Sequence, residues 1–153
     1  MASILTLAAD AVTTELNTKL TSWGYSTTTA TRKNSTKFVL EELDSLAVTV
    51  LPIACPTKPA GRKTGSGGLL LEWNPTVDID IRKRTNDDTD AEDDMVELAE
   101  YIAAYFLNPR TSSYQVLNVE PSVVIPSEEL QDKGLFAVAV RLTLQAHSSG
   151  ESA

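Results

Sequence analysis

Apolar positions along this chain fall into two spacings, and the switches between them mark its elements. Ile4, Leu5, Ala8, Val12, Leu16, Leu20 and Trp23 recur at helical intervals, with Asp10, Thr13, Thr14, Asn17 and Thr21 between them. Ser3 suits the N-cap and Gly24 the left-handed position just past the end, which predicts an amphipathic helix of about five turns. The threonine-rich stretch 26–37 fits a solvent-facing strand or an arm. Leu46 to Ala54 is short and β-branched, so it reads as a strand, with Pro52 at a sheet edge or outside the ladder.

Strict alternation follows. Leu69, Leu71, Trp73, Val77, Ile79 and Ile81 share one parity, and Glu72, Asp78, Asp80 and Arg82 take the other, predicting a half-buried strand bent at Asn74-Pro75. A second helix is announced by Thr89-Asp90-Ala91-Glu92, which matches a capping box with Thr89 as the cap. Met95, Leu98, Ala99, Ile102, Tyr105 and Phe106 form its apolar face, and Asn108-Pro109 ends it. Leu117, Val119, Val123 and Ile125 suggest another strand, broken by Pro121 and Pro126. The last strand places Phe136, Val138, Val140, Leu142 and Leu144 on one face and Ala137, Ala139, Arg141, Thr143 and Gln145 on the other. These runs predict a single α+β domain over residues 1–147, an antiparallel sheet with two main helices on one face. Residues 148–153 read as a disordered tail.

Charge changes the picture because it is unevenly placed. The net charge is −8, and residues 86–100 hold eight acids (Asp87, Asp88, Asp90, Glu92, Asp93, Asp94, Glu97 and Glu100) and no base. The remainder is neutral, with thirteen acids against thirteen bases. Nine of those bases lie in three clusters: Arg32, Lys33 and Lys37; Lys58, Arg62 and Lys63; Arg82, Lys83 and Arg84. An acidic chain is a poor general DNA binder, since affinity for nucleic acid comes chiefly from neutralising phosphates. The three basic clusters read as unpaired within the chain, so the acidic run, with Asp87, Asp88 and Asp90, is expected to meet the Arg82-Lys83-Arg84 cluster or the Lys58-Arg62-Lys63 arm of a neighbouring subunit, the alternative being that it lines a central channel.

Residues 56–68, "PTKPAGRKTGSGG", tempt a nucleotide-binding reading that fails on spacing. A phosphate loop needs G-x-x-x-x-G-K-[ST] opening a helix, whereas Lys63-Thr64 lies mid-stretch and a strand follows Gly68. The segment is therefore expected to be a flexible hairpin loop, either passive or ordered by a partner. Calcium is tempting too. Asn86, Asp88, Asp90 and Glu97 occupy positions one, three, five and twelve of an EF-hand loop, but Ala91 stands where the sharp turn wants glycine. No metal or other cofactor is expected.

Enzymatic readings are weak. His147 is the sole histidine and lies near the end of the chain. Cys55, the sole cysteine, has no neighbouring base to activate it and permits no intramolecular disulfide, which fits a reducing cytoplasm. Asp78 and Asp80 share a strand face, yet Arg82 beside them suggests a wet, charge-balanced surface. Trp23 and Trp73 fall at apolar-face positions and read as core. The opening residues lack a basic region and Asp10 interrupts them, so no secretion signal is expected, and no apolar run is long enough for a membrane span.

The order of the segments carries one further signal. A long N-terminal helix precedes "FVLEELDSLAVTVLPIA", then "VDIDIRKRTNDDTDAEDDMVELAEYIAAYFL", and finally "EPSVVIPSEELQDKGLFAVAVRLTLQA". From about Phe38 to Ala146 this order resembles the tail terminator and head-to-tail joining (neck) proteins of tailed bacteriophages. The resemblance implies a structural, non-enzymatic virion protein assembled in the host cytoplasm. It implies a closed ring, typically of six copies, that caps the tail tube protein, presents its other side to a neck or connector protein, and passes genomic DNA without gripping it. Another neck component is the alternative within that group, and a monomeric module binding nucleic acid or a ligand through the basic loop is the alternative outside it. The basic glycine loop has no counterpart in the resemblance.

Overall fold

The first helix, α1 (Ile4–Ser22), starts where Ser3 accepts a hydrogen bond from the Thr6 amide at 3.0 Å. It stops in a Schellman turn: Tyr25 N–H bonds Leu20 O at 2.8 Å and Gly24 N–H bonds Thr21 O at 3.3 Å. Gly24 has φ +93°, a conformation that costs a side-chain-bearing residue but not glycine. Thr13, Thr14 and Thr18 return their hydroxyls to carbonyls four residues back, so these poor helix formers keep their polar groups satisfied. The computed structural model describes residues 3–25, 27–34, 43–62, 69–86, 88–107, 115–122 and 134–149.

After α1 come β1 (Ala30–Arg32), β2 (Ala47–Ala54), β3 (Thr57–Arg62), β4 (Leu69–Trp73) and β5 (Thr76–Arg84). Helix α2 (Thr89–Leu107) and strands β6 (Gln115–Ser122) and β7 (Leu135–Ser149) complete the chain. The strands form one seven-stranded sheet in an α+β domain. Both helices pack on the same face: Val12, Leu16 and Leu20 of α1 and Leu98, Ile102 and Phe106 of α2 meet Val50, Ile79, Val140 and Leu142 of the sheet. Where the helices converge, Trp23 stands 6.0 Å from Tyr101 and 6.1 Å from Tyr105, ring to ring, and Lys19 lies 5.0 Å over Tyr105. The Tyr105 hydroxyl donates to Glu15, tying α2 to α1. Trp23 is thus half-buried against the core rather than inside it.

Several expectations are corrected. The sheet is mixed, because β1 runs parallel to β2 while every other pair is antiparallel. A parallel pair cannot be joined by a tight hairpin, and β1 ends at Arg32 well before β2 begins at Ala47. Part of the predicted 56–68 loop is strand β3, paired with β4 through Thr57↔Trp73 and Arg62↔Leu69; residues 63–68 lie outside the described residues. The predicted tail is partly sheet, since Ser148 and Ser149 extend β7 against Leu71 and Leu70. In β6 a register shift between Val116 and Asn118 lets both Val116 and Val119 face the core and leaves Leu117 46% exposed. Pro121 sits within that edge strand, the place in a sheet where proline is tolerated.

The long strand β7 orders the rest. Trp73 faces Ala146 and Thr76 faces Thr143, so β4 and β5 keep one register along β7 across the Asn74-Pro75 bend. At the same level the neighbouring chain bends between β2 and β3, where Pro56 O accepts from Asn74 N–H at 2.8 Å. Two proline-marked breaks side by side divide the sheet into a helix-covered body and an arm made of β3, β4 and the end of β7.

Candidate assembly surfaces

The sheet face away from the helices is built by the second parity of the alternation. Asp78 of β5 lies opposite Arg141 of β7, which donates to both its oxygens at 2.8 and 3.0 Å. Arg141 in turn lies opposite Glu120 of β6, so a carboxylate–guanidinium–carboxylate row crosses three strands. The Asp78 bonds and charge raise the Arg141 guanidinium pKa above its usual value, with Glu120 adding to the effect. Two residues further along β5, Asp80 receives Arg82 at 2.7 and 3.3 Å. Asp80 is only 4% exposed, and that burial pushes its carboxyl pKa up despite the Arg82 bonds that pull it down. Asp78 and Asp80 therefore share a face, as the spacing predicts, but each is held by its own arginine.

At the arm's root, Glu72 is a hub. It accepts from Lys58 Nζ at 3.1 Å, Asn74 Nδ2 at 3.1 Å and Gln145 Nε2 at 2.7 Å. The Lys58 bond, then those from Asn74 and Gln145, hold its carboxyl below the usual range. This cluster joins β3, β4 and β7 where the sheet bends. Lys58 stays 65% exposed beyond it, Arg62 ends β3, and Lys63 lies outside the described residues. His147 falls on the end of β7, opposite Glu72 in register. Cys55 sits in the bend between β2 and β3, partly buried, and burial pushes its thiol pKa up, away from the reactive thiolate.

Among the described residues, Arg32, Lys58, Arg82 and Arg84, at least one from each basic cluster, are ion-paired within the chain, which corrects the expectation that the clusters are unpaired. Arg82 is bound to Asp80, Arg84 reaches Asp44 at 2.9 Å, and Arg32 reaches Asp10 at 2.7 Å. Lys83 makes no ion pair among the described residues and lines a groove of about 470 Å³ with Tyr25, Thr28, Asp44, Asp94 and Met95. The groove lies between the segment after α1, the approach to β2, the end of β5 and the first turns of α2.

The acidic run starts α2, but its cap is not the expected one. Asp88 accepts from the Asp90 and Ala91 amides at 3.1 and 3.4 Å, so Asp88 rather than Thr89 is the N-cap. Glu92 does not reach back to Thr89; it accepts from the buried Thr85 hydroxyl at 2.8 Å. Asp90, Asp93, Asp94, Glu97 and Glu100 are exposed and form no salt bridge with any described residue. Asp87 lies outside the described residues. Burial, with the charges of Asp94 and Glu97, pushes the Tyr25 hydroxyl pKa up at the groove's edge.

Sequence reasoning missed the Glu72 hub, the Asp78–Arg141 pair and the groove. Their members lie far apart in the chain, 63 residues in the case of Asp78 and Arg141, and no local spacing reports them. Among the described residues no helix is long and apolar enough to cross a membrane. The chain matches no protein-family model and no curated protein.

Proposed function

We propose that this chain is a structural ring protein of a tailed-phage virion, of the tail terminator kind, that caps the tail tube and joins it to the neck. The observation that supports this reading is the division of one sheet into two parts. A helix-backed body presents a charge-laddered sheet face, and a β-arm extends from it beyond the Cys55-Pro56 and Asn74-Pro75 bends. An ion-paired face suits stacking against a ring above or below, because paired charges keep it soluble when free and tolerate partial hydration when covered. An arm reaching past the body suits lateral contact around a ring. The reading is structural rather than enzymatic: Asp78 and Asp80, the carboxylates an acid–base reading would use, are each committed to an arginine. In this role the lumen passes DNA without specific contact, and the protein resides in the virion after assembly in the host cytoplasm.

Size-exclusion chromatography with light scattering, followed by electron microscopy of the purified chain alone and mixed with tail tube protein, tests the proposal. Closed rings, and tubes whose growth stops at a bound cap, are expected. A chain that stays monomeric at every concentration and leaves tube growth unchanged would overturn it.

A further inference from the structure

Lys83 breaks the pattern of its own strand. Val77, Ile79 and Ile81 of β5 are buried against the helices, and Lys83 continues their parity opposite Phe136 of β7, which also packs on the core. The lysine is half-buried at the end of the sheet, and its ammonium makes no ion pair with any described residue. Its neighbours Arg82 and Arg84, by contrast, are held by Asp80 and Asp44. A partly desolvated charge without a partner costs stability, which points to an acceptor from outside the chain.

The space it faces is the groove of about 470 Å³, within the range of about 300–1,000 Å³ for small-ligand sites. Asp94 lines the same groove, exposed and without a salt bridge among the described residues, and the two charges do not close on each other. Tyr25, Thr27, Thr28 and Thr29 add hydroxyls to the wall, and Leu46 and Met95 add apolar surface. Part of that wall is set by backbone bonds: Tyr25 N–H reaches Leu20 O at 2.8 Å and Thr28 N–H reaches Tyr25 O at 3.0 Å. Burial, with the charges of Asp94 and Glu97, raises the Tyr25 pKa, so its hydroxyl stays protonated and able to donate.

This lining selects among ligand chemistries. A phosphate would gain Lys83 but meet Asp94, and an amine would gain Asp94 but meet Lys83. A zwitterion answers both charges and leaves the hydroxyl wall unused. A neutral ligand that donates and accepts at each of its polar groups meets no repulsion and uses the whole wall, with its C–H faces against Tyr25, Leu46 and Met95. We propose that the groove is a binding site for a short saccharide, with Lys83 donating to its oxygens and Asp94 accepting from its hydroxyls. The site needs only one copy of the chain and is independent of the ring reading.

The test is a nuclear magnetic resonance titration of the isotope-labelled full chain with maltose, lactose and diacetylchitobiose, and in parallel with leucine and inorganic phosphate. Saturable amide shifts at Tyr25, Thr28, Lys83 and Asp94 are expected with at least one sugar at millimolar concentration, and not with leucine or phosphate. Added salt should leave the affinity unchanged, because the ligand is neutral. Lys83→Met and Asp94→Asn should each weaken binding about tenfold or more, and Thr28→Val, which removes one hydroxyl, severalfold. Urea midpoints report folding, and Lys83→Met should not lower the midpoint, since it removes an unpaired charge and keeps the apolar stem. No saturable shift with any of the sugars would overturn the proposal. So would a response to leucine or phosphate in their place, or sugar binding that the three variants leave unchanged.

Discussion

Replacing Asn17 with alanine deletes a contact that protects the edge of the sheet. Asn17 lies within α1, and its side-chain amide grips both backbone groups of Ala30. Its Oδ1 accepts from the Ala30 N–H at 2.7 Å and its Nδ2 donates to the Ala30 carbonyl at 3.1 Å. β1 is an edge strand, and an edge residue leaves its outward N–H and C=O without a ladder partner. Ala30 is 3% exposed, so water does not readily replace Asn17. Each bond contributes about 0.5–1.5 kcal/mol net, giving a loss of about 1–3 kcal/mol for the pair. Alanine is the better helix former by up to about 0.7 kcal/mol, which offsets part of this. The expected net destabilisation is about 0.5–2.5 kcal/mol, or roughly 2–4 °C in Tm for each kcal/mol in a domain of this size. Urea denaturation of Asn17→Ala measures it, and amide exchange at Ala30 locates it, because the unlatched N–H should exchange faster than those of Val48 and Val50 in β2. Asn17→Asp is the sharper control. A carboxylate still accepts from the N–H but turns an oxygen towards the Ala30 carbonyl, so the variant should also lose stability. Unchanged stability together with unchanged exchange at Ala30 would refute the edge-cap argument.

Gly134→Ala should cost about 1–2 kcal/mol in urea unfolding, because Gly134 has φ +70° and alanine resists that region. The added Cβ would also meet Asn86 Oδ1 at 2.2 Å, so Asn86→Gly in the double variant should recover part of the loss but not the φ strain; full stability of the single variant would contradict this. Asp80, its folded pKa raised, holds its proton more tightly folded than unfolded, so its contribution to stability grows as pH falls through the folded pKa towards the unfolded value near 3.9. The stability difference between the parent and Asp80→Asn should therefore move in the parent's favour on acidification. Movement the other way would mean that Arg82 outweighs burial.

What the sequence determined by itself was whatever depends on neighbours a few residues apart. The apolar stripe of α1, its Ser3 start and its Gly24 stop were legible because helix faces repeat every three to four residues and caps act within one turn. The alternation through Val77, Ile79 and Ile81 and through Val138, Val140 and Leu142 likewise fixed which face of the sheet meets the helices, before any strand partner was known. The α2 start was legible as a capped terminus. The capping residue was not, since Thr89 and the adjacent Asp88 are both good N-cap residues and only the backbone path from Thr85 selects the aspartate. Everything that needed a distant partner was decided by tertiary structure. β1 became a parallel strand because β2 and Asn17 were there to receive it. "TKPAGR" became β3, against its loop-like composition, because β4 offered a ladder, and β7 ran on to Ser149 for the same reason. The charge clusters show the limit most plainly. Counting bases and acids placed surplus charge at two segments, but only the fold committed Arg82 to Asp80 and Arg84 to Asp44. The arm's Lys58 was likewise committed to Glu72, and β5 set that cluster and the Lys83-lined groove at its opposite ends, a separation that no one-dimensional pattern encodes.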